Sequence, residues 1–265
     1  MSRVLAPAKL TLSLEVTGVR SDGYHELRAE MVALNLADEL TFTEGSDGLT
    51  VAAAPGSRAD GLGNDQGNLI VRALAATGRV AGVHVVKRIP VGGGLGGGST
   101  DAAAVLRWAG TDDLELALQL GADVPFSLTG GRALVEGVGE RITPLPFEPR
   151  RFLLLVPPFG VDTGLVYKAW DELAQGAAGR DAGVQGPGRN ALTSAALVVE
   201  PRLARWREAL QELSGADPIL AGSGSTWFVS HELETGTEVL PSVRIDGEEG
   251  LLLRAHTVPA GWEGD

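Results

Sequence analysis

Residues 90–101 read Pro-Val-Gly-Gly-Gly-Leu-Gly-Gly-Gly-Ser-Thr-Asp, with six glycines in the seven positions 92–98. No helix or strand accommodates such a run, because glycine loses the most backbone freedom on folding and brings no side chain to pack. The run is therefore a loop, and its flanks decide which kind. Upstream, residues 82–89 (GVHVVKRI) read as a strand that Pro90 ends. Downstream, an alanine-rich pattern over 100–109, closed by Gly110, reads as a helix. A glycine loop in that setting exposes consecutive backbone N–H groups and lets a large anion approach without Cβ clashes. The positive end of the helix and the hydroxyls of Ser99 and Thr100 add to the attraction. A di- or triphosphate is the natural guest, and a merely flexible tight turn is the alternative.

Two familiar phosphate loops fit poorly. From Gly93 the Walker A spacing holds through Gly98, but Ser99 stands where the lysine belongs. A Gly-x-Gly-x-x-Gly match exists at Gly92, Gly94 and Gly97, as it would at almost any such glycine density. The dinucleotide fingerprint also needs a following strand with an acidic ribose ligand, whereas here a second helical pattern follows.

Composition narrows the choice further. With 22 basic against 34 acidic residues the formal charge is −12, which disfavours nucleic acid and anionic membrane surfaces as partners. The absence of cysteine excludes disulfides, thiolate metal sites and a cysteine nucleophile. The first residues lack a signal-peptide pattern and no stretch is long and apolar enough to span a membrane, so a soluble, cytoplasmic protein is expected. Lysine stands only at positions 9, 87 and 168, against 19 arginines, which gives each lysine a stronger claim to a purpose.

Along the chain, residues 4–16 alternate as a half-buried strand. Leu10, Leu12 and Leu14 lie on one face, and Lys9, Thr11 and Ser13 on the other. A polar loop is expected over 18–26, a strand over 31–43, and loop with at most a hairpin over 45–67. Asn68 is placed to cap a helix over 69–76. Helices are expected over 112–120, 163–174 and 201–213, with a flexible loop over 176–188. Strands are expected at 152–156, 219–221, 226–229 and 251–258. Without regular βαβ alternation the class is α+β, and a change of pattern near 148 divides the chain into 1–148 and 149–265.

Residues 90–99, Pro-x₃-Gly-Leu-Gly-Gly-Gly-Ser in their core, resemble the ATP-phosphate loop of the galactokinase, homoserine kinase, mevalonate kinase and phosphomevalonate kinase superfamily. Further blocks are similar to one branch of it. They are Ala6-Pro7-Ala8-Lys9, Asp22-Gly23-Tyr24-His25-Glu26-Leu27, Gly121-Ala122-Asp123-Val124-Pro125-Phe126, Gly137-Val138-Gly139-Glu140 and Gly222-Ser223-Gly224-Ser225. They run in the family's order over most of the chain. That branch phosphorylates the 2-hydroxyl of a cytidine-diphosphate-linked methylerythritol in the non-mevalonate route to isoprenoid precursors. The resemblance implies a two-lobed small-molecule kinase fold. Its N-terminal lobe carries the glycine loop, its C-terminal lobe is an α/β sandwich, and the site lies in the cleft between them. It implies an enzyme using ATP and Mg²⁺ on a small molecule, as a monomer or homodimer.

The resemblance also assigns roles. Asp123 would be the general base, although its place just before a helix also suits a plain N-cap. Lys9, which could otherwise be a solvated strand lysine, would hold Asp123 and orient the hydroxyl. Pro90, Val91, Gly92, Gly93, Gly94, Leu95, Gly96, Gly97 and Gly98 would cradle ATP. Ser99 and Thr100 would meet its phosphates, with Ser99 the candidate metal contact. Tyr24 would stack on the cytosine beside His25, with Tyr167 as a second aromatic and Thr163 nearby. Thr11 stands where the family usually has asparagine, and the common Asn-Asp-Leu-Glu stretch reads Asn190-Ala191-Leu192-Thr193. The first change puts a substrate contact in question, and the second removes two carboxylates. A kinase of another small alcohol, a non-catalytic nucleotide-binding protein and a nicotinamide oxidoreductase remain as alternatives.

Overall fold

One long strand organises the first half of the chain. β2 (His25–Glu44) runs antiparallel beside β1 (Ser2–Val19) for most of its length. Its other edge is shared: β5 (Arg132–Gly137) pairs with its first part and β4 (Ala81–Lys87) with its last. β3 (Leu49–Ala53) joins β4 in parallel, and β6 (Arg141–Pro144) closes the sheet beyond β5. Helix α2 (Gly97–Ala109) buries its apolar face against this sheet, and α1 (Leu69–Thr77), α3 (Leu114–Leu120) and α4 (Val124–Thr129) pack around α2 and share its apolar cluster. This computed structural model describes residues 1–54, 57, 67–176, 189–231 and 238–264.

The second half forms a five-stranded sheet in the order β10-β11-β7-β9-β8. Its strands are β7 (Arg151–Val156), β8 (Ile219–Leu220), β9 (Trp227–Ser230), β10 (Glu238–Ile245) and β11 (Glu248–His256). Every pairing in it is antiparallel. Helices α5 (Thr163–Gly176), α6 (Thr193–Val199) and α7 (Leu203–Ser214) pack on one face through Val166, Ala195, Leu203 and Trp206. The architecture is α+β, as the pattern of elements suggested.

The two sheets share their interior. Leu14, Ala29 and Met31 of the first pack with Leu153, Leu155 and Trp227 of the second, and Leu10 and Leu34 pack with Leu154 and Phe228. Backbone bonds seal the seam: Leu14 N–H donates to the Arg189 carbonyl at 3.0 Å, and Val258 N–H to that of Ala33 at 3.0 Å. This seam corrects the reading of β1. Residues 8–12 are buried on both faces because the polar face meets the glycine loop and the second sheet's turn rather than water.

Other elements differ in detail. β3 lies within the stretch expected to be loop, paired to β4 rather than in a hairpin. β5, β6, β10 and α6 were not anticipated. His25 opens β2 instead of lying in the loop. Asn68 does cap α1, accepting from Ile70 N–H at 2.9 Å. Most of the loops expected over 45–67 and 176–188 lies outside the described residues.

Candidate active site

α2 begins at Gly97, earlier than its alanine run suggested, and Gly96 in a left-handed conformation (φ 74°) caps it without a side chain. The first-turn N–H groups of Gly97, Gly98 and Ser99 have no intrahelical acceptor, and no side chain covers them from the cap. Pro90 to Gly98, with Lys87 and Ile89, enclose a small cavity of about 80 Å³ at this helix end. Ser99 is half-buried, with no hydrogen bond to its hydroxyl among the described residues. Thr100 corrects the expectation placed on it. It is fully buried and its hydroxyl donates to the Pro7 carbonyl at 2.7 Å, so it ties α2 to β1 rather than facing an anion.

The far wall is the turn between β8 and β9. A Cβ on Gly94 (φ 80°) would stand 2.6 Å from the Ala221 carbonyl oxygen and 2.8 Å from Gly224 Cα. Neither loop could carry a side chain there. A Cβ on Gly93 would stand 2.9 Å from Thr226 Oγ1, and the hydroxyls of Ser225 and Thr226 are buried without a partner among the described residues. Bare glycine backbone beside unsatisfied hydroxyls suits a multi-oxygen anion. Asn190 holds this turn: its amide donates to the carbonyls of Leu220 (2.9 Å) and Gly222 (2.6 Å). Its role was not read from the sequence, because those partners lie 30 and 32 positions away.

Lys9 lies between the two walls. A Cβ on Gly96 would meet Lys9 Cγ at 2.7 Å, and one on Gly222 would stand 3.4 Å from Lys9 Nζ. The ammonium, buried, donates to Thr11 Oγ1 at 3.2 Å and pairs with Asp123 Oδ2 at 3.4 Å. Asp123 precedes α4, but its carboxylate makes no capping hydrogen bond. That carboxylate is one-third exposed and faces both the lysine and solvent. Its loop is buttressed by Gly139, which has no room for a Cβ beside the Ala122 carbonyl.

Beyond Asp123 an aromatic group links β2 to α5. The His25 imidazole stacks on Tyr167 (centroids 4.7 Å apart), meets Trp170 edge-on and hydrogen-bonds through Nε2 to Asp171 Oδ1 at 2.8 Å. Tyr167 is mostly buried. Burial, and then the negative charge of Asp123, push its phenol well above the usual range. Tyr24 projects into solvent, 65% exposed, from a turn that Asp22 fixes by accepting the Tyr24 N–H. Thr163 Oγ1 and Ser223 Oγ share a hydrogen bond of 3.0 Å at the cleft mouth. Asp171 and Trp170 were not anticipated. An α5 residue reaching the start of β2, 146 positions earlier, leaves no local signal.

Under the glycine loop, Lys87 is buried between Asp38 and Asp101, its ammonium 2.5 Å from Asp101 Oδ2. A Cβ on Gly97 would stand 3.3 Å from this ammonium. Asp38 also accepts the N–H groups of Arg88 and Ile89, which fixes the start of the loop. Burial pushes the Asp101 carboxyl up to about 7, against the pull of Lys87. The rarity of lysine flagged Lys87; its buried partners lay beyond sequence reach.

Comparison with known proteins matches residues 68–131 to the GHMP kinases N terminal domain. A 4-diphosphocytidyl-2-C-methyl-D-erythritol kinase of Pelotomaculum thermopropionicum is 38% identical, over 94% of this chain and 96% of the relative. One of Deinococcus radiodurans is 39% identical over 84% and 82%. A crystal structure of 4-(cytidine 5'-diphospho)-2C-methyl-D-erythritol kinase superposes with a TM-score of 0.66 at 36% identity, covering 86% of this chain and 89% of that one. A crystal structure of L. major mevalonate kinase in complex with R-mevalonate has a TM-score of 0.56 at 14% identity over 87% of each chain, a likeness of fold alone.

The Asp101 geometry generates a prediction about stability. Unfolded, this carboxyl ionises near pH 4, while in the fold it keeps its proton up to about 7. Between those values ionisation favours the unfolded chain, so its contribution to stability is full below pH 4 and lost as pH rises through 7. Melting temperatures from pH 4 to 8 are expected to show wild type losing stability relative to Asp101→Asn as pH rises. Parallel curves would contradict the buried cluster as described.

Proposed function

The chain belongs to the 4-diphosphocytidyl-2-C-methyl-D-erythritol kinases, within the GHMP kinases, and on that premise we propose which of its side chains bind the substrates and move the phosphoryl group. It is an ATP-dependent kinase whose acceptor is 4-diphosphocytidyl-2-C-methyl-D-erythritol, in the non-mevalonate route to isoprenoid precursors. The acceptor group is the 2-hydroxyl in this reading. One observation carries it: the buried Lys9 touches both the glycine loop, at Gly96, and the carboxylate of Asp123. The cation thus sits where a transferring phosphoryl group and an attacking hydroxyl would meet.

Asp123 accepts the hydroxyl proton as the substrate oxygen bonds to the terminal phosphorus of ATP. The bond from that phosphorus to the bridging oxygen breaks, and ADP leaves with the electron pair. Lys9 holds the carboxylate and the hydroxyl in line and offsets charge on the transferring group. The N–H groups of Gly97, Gly98 and Ser99, at the positive end of α2, meet the phosphates. The half-buried Ser99 hydroxyl is the group that would hold Mg²⁺ on the protein's side, and the ion would supply positive charge to the phosphates.

Tyr24 and Tyr167 take the cytosine and His25 its edge, a reading supported by the exposed Tyr24 ring and by the fixing of His25 through Asp171. Thr11, hydrogen-bonded to Lys9, faces the methylerythritol, and Thr163 borders the cleft beside Ser223. Residues 1–148 and 149–265 are taken as the two lobes, a division supported by the change of sheet between β6 and β7. Among the described residues no helix is long and apolar enough to cross a membrane. The enzyme is placed in the cytoplasm, as a monomer or homodimer.

ADP release with Mg-ATP tests this reading on the cytidyl substrate, its cytidine-free analogue, mevalonate and homoserine. Turnover is expected with the cytidyl compound alone; turnover with another alcohol would overturn the base-binding assignment. Lys9→Ala and Asp123→Asn are each expected to lower kcat at least a hundredfold, ~2.7 kcal/mol of barrier, with melting temperature retained. Near-normal turnover in either would remove its role. Tyr24→Ala should raise KM for the cytidyl substrate at least fivefold, ~1 kcal/mol of lost stacking, and leave KM for ATP unchanged.

A further inference from the structure

The Lys9 ammonium is fixed by a neighbour on its own strand. It donates to Thr11 Oγ1 at 3.2 Å, and its ion pair with Asp123 Oδ2, at 3.4 Å, is the longer contact. Strand geometry puts Lys9 and Thr11 on one face, since positions two apart point the same way. The ladder between β1 and β2 slips twice, between Pro7 and Lys9 and again between Thr11 and Ser13. Residues 9–11 are therefore a short regular run bounded by two irregularities, a device that re-aims side chains beside functional sites.

The lysine is held along its whole length. Its backbone N–H donates to the Leu95 carbonyl at 3.0 Å, its stem fills the space that a Gly96 Cβ would need, and its head rests on Thr11. Bare backbone covers the pair: a Cβ on Gly222 would stand 3.4 Å from Lys9 Nζ and 3.5 Å from Thr11 Oγ1. Exposure separates the roles. Thr11 is 1% exposed and the Lys9 side chain 7%, against 34% for that of Asp123. Thr11 faces the methylerythritol end of the cleft but has no surface to give it. An ammonium carries three N–H groups. With one held by Thr11, the other two are left for Asp123 and the transferring phosphoryl. Threonine suits this task, because its branched side chain is stiff and keeps the accepting oxygen in one place.

We propose that Thr11 is a positioning residue for the reaction: it orients the Lys9 ammonium toward Asp123 and the transferring phosphoryl group, and meets the substrate only through that lysine. The inference rests on the roles of Lys9 and Asp123 given above and names what keeps the lysine in line.

Steady-state kinetics of Thr11→Val, Thr11→Ala and Thr11→Ser test it, with Lys9→Ala alone and combined with Thr11→Val. Valine keeps the shape and removes the acceptor. Thr11→Val and Thr11→Ala are each expected to lower kcat at least tenfold, with KM for the cytidyl substrate within twofold of wild type. Thr11→Ser, which keeps the hydroxyl, is expected to stay within threefold in kcat. On the Lys9→Ala background, Thr11→Val is expected to cost less than twofold, because the ammonium it orients is gone. A general packing defect would depress both backgrounds alike, and serine would not rescue it; that result would overturn the proposal. A severalfold rise in KM at full kcat would make Thr11 a substrate contact, and unchanged kinetics in both Thr11→Val and Thr11→Ala would leave it no role. The Lys9→Ala arm separates two failures. Normal turnover there removes the reading of Lys9 itself, whereas a hundredfold loss there beside full turnover in Thr11→Val removes Thr11 alone.

Discussion

Everything in the cleft depends on two loops touching through bare backbone. Gly94 of the phosphate loop and Gly224 of the β8–β9 turn lie so close that neither tolerates a Cβ. That contact joins the first sheet's loop to the second sheet's turn and brings Gly222 against the Lys9 ammonium. Asn190 holds the turn from below, and Asp38 holds the start of the loop by accepting two backbone N–H groups. The glycines are therefore less a flexible segment than a fitted surface. Their missing side chains make room for another backbone on one side and, in the proposed reading, for phosphate oxygens on the other.

The electrostatic solution follows from the acidic composition. A chain of net charge −12 cannot attract a triphosphate with its overall field, so attraction is local. In the proposed reading, the backbone N–H groups at the start of α2 supply part of it. Two of the three lysines stand against this loop: Lys9 on the cleft side, paired with Asp123, and Lys87 beneath, paired with Asp38 and Asp101. Both are buried, and each has carboxylate company that repays part of the cost of burying charge.

Much of this was legible locally. The glycine run announced an anion loop, Asn68 announced its helix, and the alternation in β1 correctly separated Lys9 and Thr11 from the leucines. What failed was context. The polar face of β1 was read as solvated, because alternation reports two faces but not what covers the second one. Asp123, the general base by resemblance, suited a plain cap equally well by position, and only the structure shows its carboxylate free of capping. Thr100 looked available, but its hydroxyl is spent on Pro7, a partner 93 residues away. β6, with four residues, is too short to stand out by period, and β10 is interrupted by Pro241. The His25–Asp171 and Asn190–Gly222 bonds belong to tertiary structure alone.

The central claim is that Lys9 and Asp123 work as one device. A double-mutant cycle on kcat, at saturation of both substrates, tests it most directly. If the pair acts as a unit, Lys9→Ala/Asp123→Asn turns over within about tenfold of the slower single variant, because the first substitution already disables the device. If the two losses multiply in full, the residues contribute independently, and the account of a lysine acting through its contact with the base is wrong.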